Sequence, residues 1–177
     1  MRRQVRLLIL VLVPALAAAC ASSGGIPRPF PGATVPPGTG DGAASAAAGS
    51  AVVTTALMYE GVPYRDGGSD PSGFDCSGFV QWVLARNGMT LPREVHDQYR
   101  WGKHISRDEI QPGDLVFFHT VDRGASHVGI ALDGERFVHA PSSRGVVRVE
   151  RYSSEYWKKR YVGARRPEYA GSARDAN

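Results

Sequence analysis

The sequence predicts an α+β domain in which helices come first and a small antiparallel sheet follows. In the segment that begins at Cys76, apolar residues recur at the spacing of one buried helical face. Further along, the pattern changes to short apolar runs between turn residues, such as Leu115–Phe118, and this pattern is typical of strands. Asp133-Gly134 separates two such runs and predicts a β-hairpin.

The first residues of the chain have the pattern of a signal for export. Three arginines precede an apolar run from Leu7 to Ala19, which predicts a secretory signal peptide over residues 1–19, too short to span a membrane comfortably. The run ends in small residues before Cys20 and resembles a bacterial lipoprotein processing site, so we expect Cys20 to carry the lipid, palmitate included. The sequence departs from the usual lipoprotein pattern at Ala17, the third residue before the cysteine, where leucine is usual. Cleavage at an ordinary small-x-small site, giving a soluble periplasmic or secreted protein, is the alternative.

Charge and cysteine content argue against several classes of protein. The three arginines of the signal peptide leave with it, which lowers the net charge from +4 by three units to +1. Nucleic acid is therefore not an expected partner of this exported chain. With one cysteine at the processing site and one in the domain, no structural disulfide is expected unless Cys20 escapes acylation and pairs with Cys76. Acidic residues lie among the late basic residues, which predicts a solvated face at Arg144, Arg148, Arg151, Lys158, Lys159, Arg160, Arg165 and Arg166.

Composition divides the rest of the chain. Residues 20–50 contain the anchor cysteine and then almost only Ala, Gly, Ser, Pro and Thr, which predicts a disordered tether. Residues 51–167 form the domain, about 115 residues and large enough for one core. Residues 168–177 are expected to be a flexible tail.

The helical part of the domain has three predicted elements. A helix over Val52–Tyr59 is stopped by Gly61 and Pro63. A second helix starts at Cys76 and ends at Asn87-Gly88, a left-handed C-cap. Leu91–Trp101 is expected to be irregular or partly helical. The buried face of the second helix comprises Phe79, Val80, Val83 and Leu84.

The strands follow. Gln111–Asp114 predicts a turn, and Leu115–Phe118 a buried strand. His127–Leu132 and Arg136–Ala140 are expected to form the hairpin. Two more short strands are predicted at Val146–Val149 and Arg160–Gly163.

Cys76 is the candidate reactive residue. At a helix N-terminus, the dipole and the unpaired N–H groups favour the thiolate, whereas the neighbouring carboxylate of Asp75 opposes it. The alternative is a small buried hydrophobic residue, which is a common place for a free cysteine.

Six motifs in a fixed order resemble the NlpC family of papain-like cell-wall cysteine endopeptidases, from about Ala51 to Pro167. They are Gly-Val-Pro-Tyr-Arg-Asp-Gly-Gly, Phe-Asp-Cys-Ser-Gly-Phe-Val, Leu-Pro-Arg, Pro-Gly-Asp-Leu-Val-Phe-Phe, Ser-His-Val-Gly-Ile and Tyr-Val-Gly-Ala-Arg-Arg.

The resemblance implies a papain-like fold, with the Cys76 helix packed on the sheet, and assigns a role to each residue. Cys76 would be the nucleophile, His127 the general base and His139 the partner that orients it. The backbone N–H of Cys76 and the hydroxyl of Tyr64 would bind the oxyanion. No cofactor is implied. Substrate contacts are expected from Asp75 and Ser77.

The implied activity is hydrolysis of stem or cross-link peptides of peptidoglycan, at a γ-D-glutamyl-diaminopimelate or related D,D or L,D bond, by a monomer anchored through Cys20. Because Ala21 follows that cysteine, an outer-membrane location is expected if the cell has one. Two alternatives are a non-catalytic wall-binding lipoprotein and an acyl or amide transferase. A zinc site on the Cys76, His127 and His139 side chains is disfavoured, since it offers only three ligands. The remaining histidines are interpreted as incidental: His96, His104 and His119.

The hairpin register decides whether the two histidines can meet. A three-residue loop, Leu132–Gly134, would set His127 directly opposite His139, with Gly134 at positive φ. Both rings would then share one face of the sheet and lie within hydrogen-bonding reach, on the Cys76 side.

Overall fold

A sheet of six antiparallel strands organises the domain. The computed structural model describes residues 39–121, 123–143 and 145–169. The helices are α1 (Thr39–Leu57), α2 (Cys76–Arg86), α3 (Val95–Arg100) and α4 (Glu155–Lys158). The strands are β1 (Ser69–Asp70), β2 (Gly73–Phe74), β3 (Lys103–Ile105), β4 (Leu115–Phe118), β5 (His127–Ala131), β6 (Arg136–His139), β7 (Arg148–Arg151) and β8 (Tyr161–Arg166).

The strand order is β3-β8-β4-β5-β6-β7, and β1 and β2 form a separate short ladder just before α2. Helices on one antiparallel sheet confirm the predicted α+β class. The last two strands lie later in the chain than predicted, by about two residues for β7 and up to three for β8.

Each face of the sheet has its own apolar cluster. Side chains alternate along β4, so that Phe117 packs with α1 and α2, whereas Phe118 packs on the opposite face with Trp157 of α4. Because both faces are covered, all four residues of β4 are buried, as its continuous apolar sequence predicts.

α2 forms as predicted. Its four apolar positions have no exposed surface, and the helix ends at Asn87, followed by Gly88 at φ 78°. Gly78 in the first turn lies so close to the loop before β1 that a Cβ there would be 2.0 Å from the carbonyl oxygen of Gly68. The N-terminus of α2 is therefore held against the preceding loop.

α1 is longer than predicted. The sequence indicated a tether up to Ser50 and a helix over Val52–Tyr59, but α1 starts at Thr39. Alanine is the best helix former, so the composition that indicated a tether also supports a helix once one end is packed. Gly49 supplies that packing, since a Cβ there would be 2.1 Å from the carbonyl oxygen of Pro112.

The predicted flexible tail is wrong for its first residues. Tyr169 is buried, and its hydroxyl donates to the carbonyl oxygen of Gly113 at 3.3 Å. The predictions for the signal peptide, for Cys20 and for residues 170–177 lie outside the described residues. Within the described ranges, no helix has the length and apolar character needed to cross a membrane.

Two of the late basic residues are structural, which corrects the predicted solvated face. Arg166 makes two hydrogen bonds to the buried carboxylate of Asp114, from Nε to Oδ1 and from Nη2 to Oδ2, each 2.9 Å long. Arg165 stacks over the ring of Tyr99 at 4.3 Å and donates to its carbonyl oxygen. Both arginines bind the final strand to the rest of the domain.

Candidate active site

Cys76 is the first residue of α2, and the residue before it caps the helix. The Oδ1 of Asp75 accepts a hydrogen bond from the N–H of Gly78 at 2.7 Å, which satisfies one of the free donors at the helix start. The Asp75 backbone N–H donates to the carbonyl oxygen of Gly68 at 3.0 Å. These contacts fix the direction in which Cys76 leaves the helix.

Arg93 holds both neighbours of Cys76. Its Nη2 forms an ion pair with Oδ2 of Asp75, and its Nη1 donates to Oγ of Ser77 at 2.6 Å. Asp75 and Ser77, expected to contact substrate, are almost buried and are occupied by capping and by Arg93. Sequence reasoning missed the role of Arg93, although the Leu-Pro-Arg motif marked its position.

The thiol of Cys76 is neutral in the free protein. Burial, followed by the negative charge of Asp75, raises its pKa to about 11. Hydrogen bonds from the backbone N–H groups of Val128, Ser77 and Cys76 itself lower the pKa but do not offset these effects. The expectation that the helix N-terminus would favour the thiolate is therefore wrong for this state. The Val128 contact also places the thiol beside the start of β5.

The two predicted histidines form a pair. Nε2 of His127 and Nδ1 of His139 are 2.7 Å apart, and the two rings are perpendicular. Trp157 stacks on His127 with ring centroids 5.5 Å apart and meets His139 edge-on at 5.0 Å. Burial lowers the pKa of both imidazoles, most for His127, on which the positive charge of His139 acts in the same direction. Both rings are therefore neutral at neutral pH.

The register that brings them together differs from the prediction by two residues. β5 and β6 pair Ile130 with Val138 and Ala131 with Phe137, so His127 is diagonal to His139 rather than opposite. A shift by two preserves the face of every side chain, and the two rings share a face as predicted. The facing residue of His139 in this register is Gly129.

The loop of the hairpin explains the shift. It comprises Asp133, Gly134 and Glu135, and Gly134 does not have the predicted positive φ. Instead, Oδ1 of Asp133 accepts hydrogen bonds from the N–H groups of Glu135 and Arg136, both at 2.8 Å. A side-chain acceptor thus replaces the predicted left-handed glycine.

The side of the sheet also differs from the expectation. Both rings pack on the α4 face with Trp157, whereas Cys76 packs with the α1 and α2 face. The link between them is Val128, the residue after His127, whose N–H donates to the thiol. Among the described residues, no hydrogen bond joins the thiol to an imidazole. Such bonds are often long in free enzymes and shorten when substrate binds.

Tyr64 lies in a segment held on both sides. It forms a parallel bridge with Phe74 just before α2, and its N–H donates to the carbonyl oxygen of Gly145 at 2.8 Å. Burial raises the pKa of its hydroxyl, and a negative charge on Cys76 acts in the same direction whenever the thiolate forms. The hydroxyl is therefore protonated at neutral pH and can donate to a developing negative charge near the thiol.

A cavity of about 100 Å³ opens beside His127. Val121 and Tyr156 stand at its rim with 80% and 47% of their surfaces exposed. A second cavity, about 230 Å³, continues past Trp157 towards Glu150. The two cavities share Pro141, Ser143, Tyr156 and Trp157 and lie on one side of the histidine pair.

The remaining candidates fall outside this site. His96, His104 and His119 are exposed and make no contact with the histidine pair. In the part of the chain that the structure describes, no group of three or more His, Cys, Asp or Glu side chains could hold a metal ion. The site thus has a thiol in contact with Val128 and a candidate base, His127, one residue earlier, and these groups suit attack on an acyl carbon.

Known proteins share this region. It resembles the murein DD-endopeptidase MepS/murein LD-carboxypeptidase of Escherichia coli (strain K12), 46% identical over 109 residues, 61% of this chain and 57% of that protein. The gamma-DL-glutamyl hydrolase of Bacillus subtilis (strain 168) is 44% identical over 118 residues, 65% of this chain and 28% of that protein. The shared region is thus little more than half of the first relative and less of the second.

A solved structure has the same fold. It is a Staphylococcus aureus (subsp. aureus Mu50) NLP/P60 family protein described as similar to lipoprotein, with a TM-score of 0.62 and 42% identity, covering 68% of this chain and 41% of that chain. This likeness confirms the predicted papain-like architecture. The model of the NlpC/P60 family matches residues 61–166, from the loop after α1 to the end of β8, and the chain belongs to that family.

Proposed function

We propose that the protein is an exported peptidoglycan endopeptidase that cleaves stem or cross-link peptides through Cys76, His127 and His139. The observation that carries the proposal is the 2.7 Å contact between the two imidazoles, together with the N–H of Val128, the residue after His127, donating to the thiol of Cys76. The murein endopeptidase activity in the name of the Escherichia coli relative supports the same substrate class.

In the proposed reaction, a neutral thiol meets a neutral base. As Sγ of Cys76 attacks the amide carbon, His127 takes the thiol proton, and His139 holds the resulting imidazolium. The backbone N–H of Cys76 and the hydroxyl of Tyr64 donate to the oxyanion. His127 then protonates the leaving nitrogen, the C–N bond breaks and a thioester remains. His127 next deprotonates a water that attacks the thioester, which releases the carboxylate and restores the thiol.

Digestion of purified sacculi tests the proposal. Purified protein should release new muropeptides that mass spectrometry identifies by the bond cut, and Cys76→Ala should lower the rate by about a thousandfold or more while the protein stays folded. Tight binding to sacculi without new products would instead identify a non-catalytic wall-binding protein. Products in which two peptides have been joined would identify a transferase.

We further propose that Cys20 carries the lipid anchor and that the enzyme works as a monomer at a membrane surface, in the outer membrane if the cell has one. The residues before Cys20 support acylation, and two or three acyl chains hold a protein on a bilayer far more firmly than one. Cys20→Ala should move the protein from the membrane fraction to the soluble fraction. An unchanged membrane fraction would contradict the anchor.

A further inference from the structure

A carboxylate stands behind the second histidine. β6 and β7 pair Phe137 with Glu150, so Glu150 points to the same face of the sheet as His139. Its Oε1 is 3.9 Å from Nε2 of His139. That nitrogen is buried and has no hydrogen-bond partner among the described residues, and the carboxylate is the charged group that faces it. The distance is that of an ion pair rather than of a hydrogen bond.

Glu150 is held in this position as an anion. Its Oε2 accepts a hydrogen bond from the indole N–H of Trp157, and its Oε1 is 3.2 Å from Nε of Arg148. The neighbouring His139 ring, the Trp157 N–H and the charge of Arg148 lower the pKa of Glu150 to about 2. The carboxylate is therefore charged at neutral pH, where both rings are neutral.

The contact between the two rings allows two arrangements of their protons. The short contact between Nε2 of His127 and Nδ1 of His139 needs one proton, which either ring can supply. If His139 supplies it, His127 carries its own proton on Nδ1 and has no lone pair left for a thiol. If His127 supplies it, Nδ1 of His127 is free to accept a proton, and His139 must carry its proton on Nε2, the atom that faces Glu150.

We propose that Glu150 is a positioning residue that acts through His139, selecting the Nε2–H tautomer of both rings and stabilising the imidazolium that forms during attack. The proposal deepens the function inferred above and rests on it for the role of His127. The charged groups around His139 are Glu150 and Arg148 of β7 and His127 of β5, while α4 contributes the neutral indole of Trp157. Arg148 opposes the effect of Glu150 on His139, so Glu150 is the group that favours a positive charge on both rings.

The test compares Glu150→Gln with Glu155→Gln. Gln keeps an oxygen for the Trp157 N–H but removes the charge. Glu155 is an exposed acid on α4 that pairs with Lys159, so its variant is a matched loss of one negative charge. Glu150→Gln should lower kcat about tenfold to a hundredfold with KM within about twofold. It should also move the acidic limb of the kcat/KM profile to lower pH by about one unit. In the wild type the Glu150 anion raises the imidazole pKa, so its removal lowers that pKa. Glu155→Gln should change neither.

Nitrogen NMR of histidine-labelled protein reads the tautomers without any substrate. In the wild type, both rings should carry their proton on Nε2, and Glu150→Gln should give a mixture. A wild-type His139 with its proton on Nδ1 would overturn the proposal even if the variant failed to fold. An unshifted acidic limb with kcat within about twofold would overturn it as well. If the wild type cuts no peptide, the proposed function fails, and the tautomers still decide the role of Glu150.

Discussion

Gly129 is the residue that makes room for the histidine pair. In the observed register it faces His139, and a Cβ there would lie 2.8 Å from Cδ2 of Phe137 and from the carbonyl oxygen of Val138, and 3.1 Å from Cβ of His139. These distances are shorter than ordinary contacts. The imidazole can lean towards His127 because nothing occupies that space.

Gly129→Ala should therefore displace the His139 ring and lower kcat by about tenfold to a hundredfold, as misplacements of about 1 Å in catalytic groups do. Gly134→Ala is the matched control on the same hairpin, since a Cβ there meets nothing within 4 Å and its φ is not positive. Steady-state kinetics on a defined muropeptide measure both variants. Equal activity of the two would show that His139 has other room to move.

The buried neutral histidines predict how stability depends on pH. Folding lowers the pKa of His127 and His139 below the ordinary value of 6.5. Between that value and the lower pKa of the folded protein, the unfolded chain binds more protons, so the free energy of unfolding falls as pH falls. The contribution is complete above about pH 6.5 and decreases by at most about 1.4 kcal/mol per pH unit for each histidine.

Urea unfolding between pH 7.5 and pH 5 measures this slope. His139→Gln should have a smaller slope than the wild type. The carboxylate of Glu150 does not interfere in this range, because its stabilising effect is lost only below about pH 4.5. Stability that stays constant or rises towards pH 5 would contradict neutral burial of the pair.

At the scale of secondary structure, α1 contains two glycines that should respond oppositely to the same change. Alanine is about 1 kcal/mol more favourable than glycine inside a helix. Gly42→Ala should gain up to that amount, since its Cβ meets nothing within 4 Å. Gly49→Ala should lose more than it gains, because its Cβ would lie 2.1 Å from the carbonyl oxygen of Pro112. We expect the melting temperature to rise for Gly42→Ala and to fall by several degrees for Gly49→Ala. A rise for both variants would mean that α1 does not pack against the turn before β4.

The elements that sequence predicts well are those whose signals are local. α2 carries its apolar face and its terminal glycine within about a dozen residues, and the structure reproduces both. The hairpin was placed correctly, but its register depends on a side-chain acceptor, Asp133, that competes with the glycine turn. The sequence predicts too short a helix for α1, because the contact that supports its first half, between Gly49 and Pro112, joins residues far apart in sequence.

At the scale of the whole molecule, the pair of Arg166 and Asp114 joins the last strand to the turn before the central strand β4. Asp114 is 1% exposed and also accepts a hydrogen bond from the N–H of Gln111 at 2.8 Å. Removal of one partner leaves a buried charge uncompensated, so Arg166→Gln should destabilise the protein by about 3–5 kcal/mol. Denaturant unfolding measures the loss.

A matched control is the exposed pair of Arg136 and Asp133, with Nη2 of Arg136 2.7 Å from Oδ2 of Asp133. Arg136→Gln should change stability by less than about 1 kcal/mol. The double variant Asp114→Asn with Arg166→Gln should regain part of the loss, because no unpaired charge remains. Equal effects of the two single arginine variants would mean that burial of Asp114 is unimportant.

In the candidate site, too, the residues marked by local motifs could be predicted and those that come from distant parts of the chain could not. Motifs located Cys76, His127 and His139, and alternation along the strands correctly put both histidines on one face. Arg93 and Glu150 reach the site from distant parts of the chain, and each bears a charge of a kind that usually faces solvent. Only the folded arrangement shows that their side chains point at the neighbours of the thiol and at the second imidazole.

The stacking of Trp157 on His127 gives the protein an optical signal of its own. Of the three tryptophans, Trp82 and Trp101 pack with the opposite apolar cluster, so Trp157 alone has its indole against the histidine pair. A protonated imidazole quenches the fluorescence of a neighbouring indole. In a variant with Trp82→Phe and Trp101→Phe, the fluorescence of Trp157 should therefore drop when the histidine pair gains a proton and recover when the pair is neutral. The charge of the histidines could then be followed by fluorescence while substrate binds.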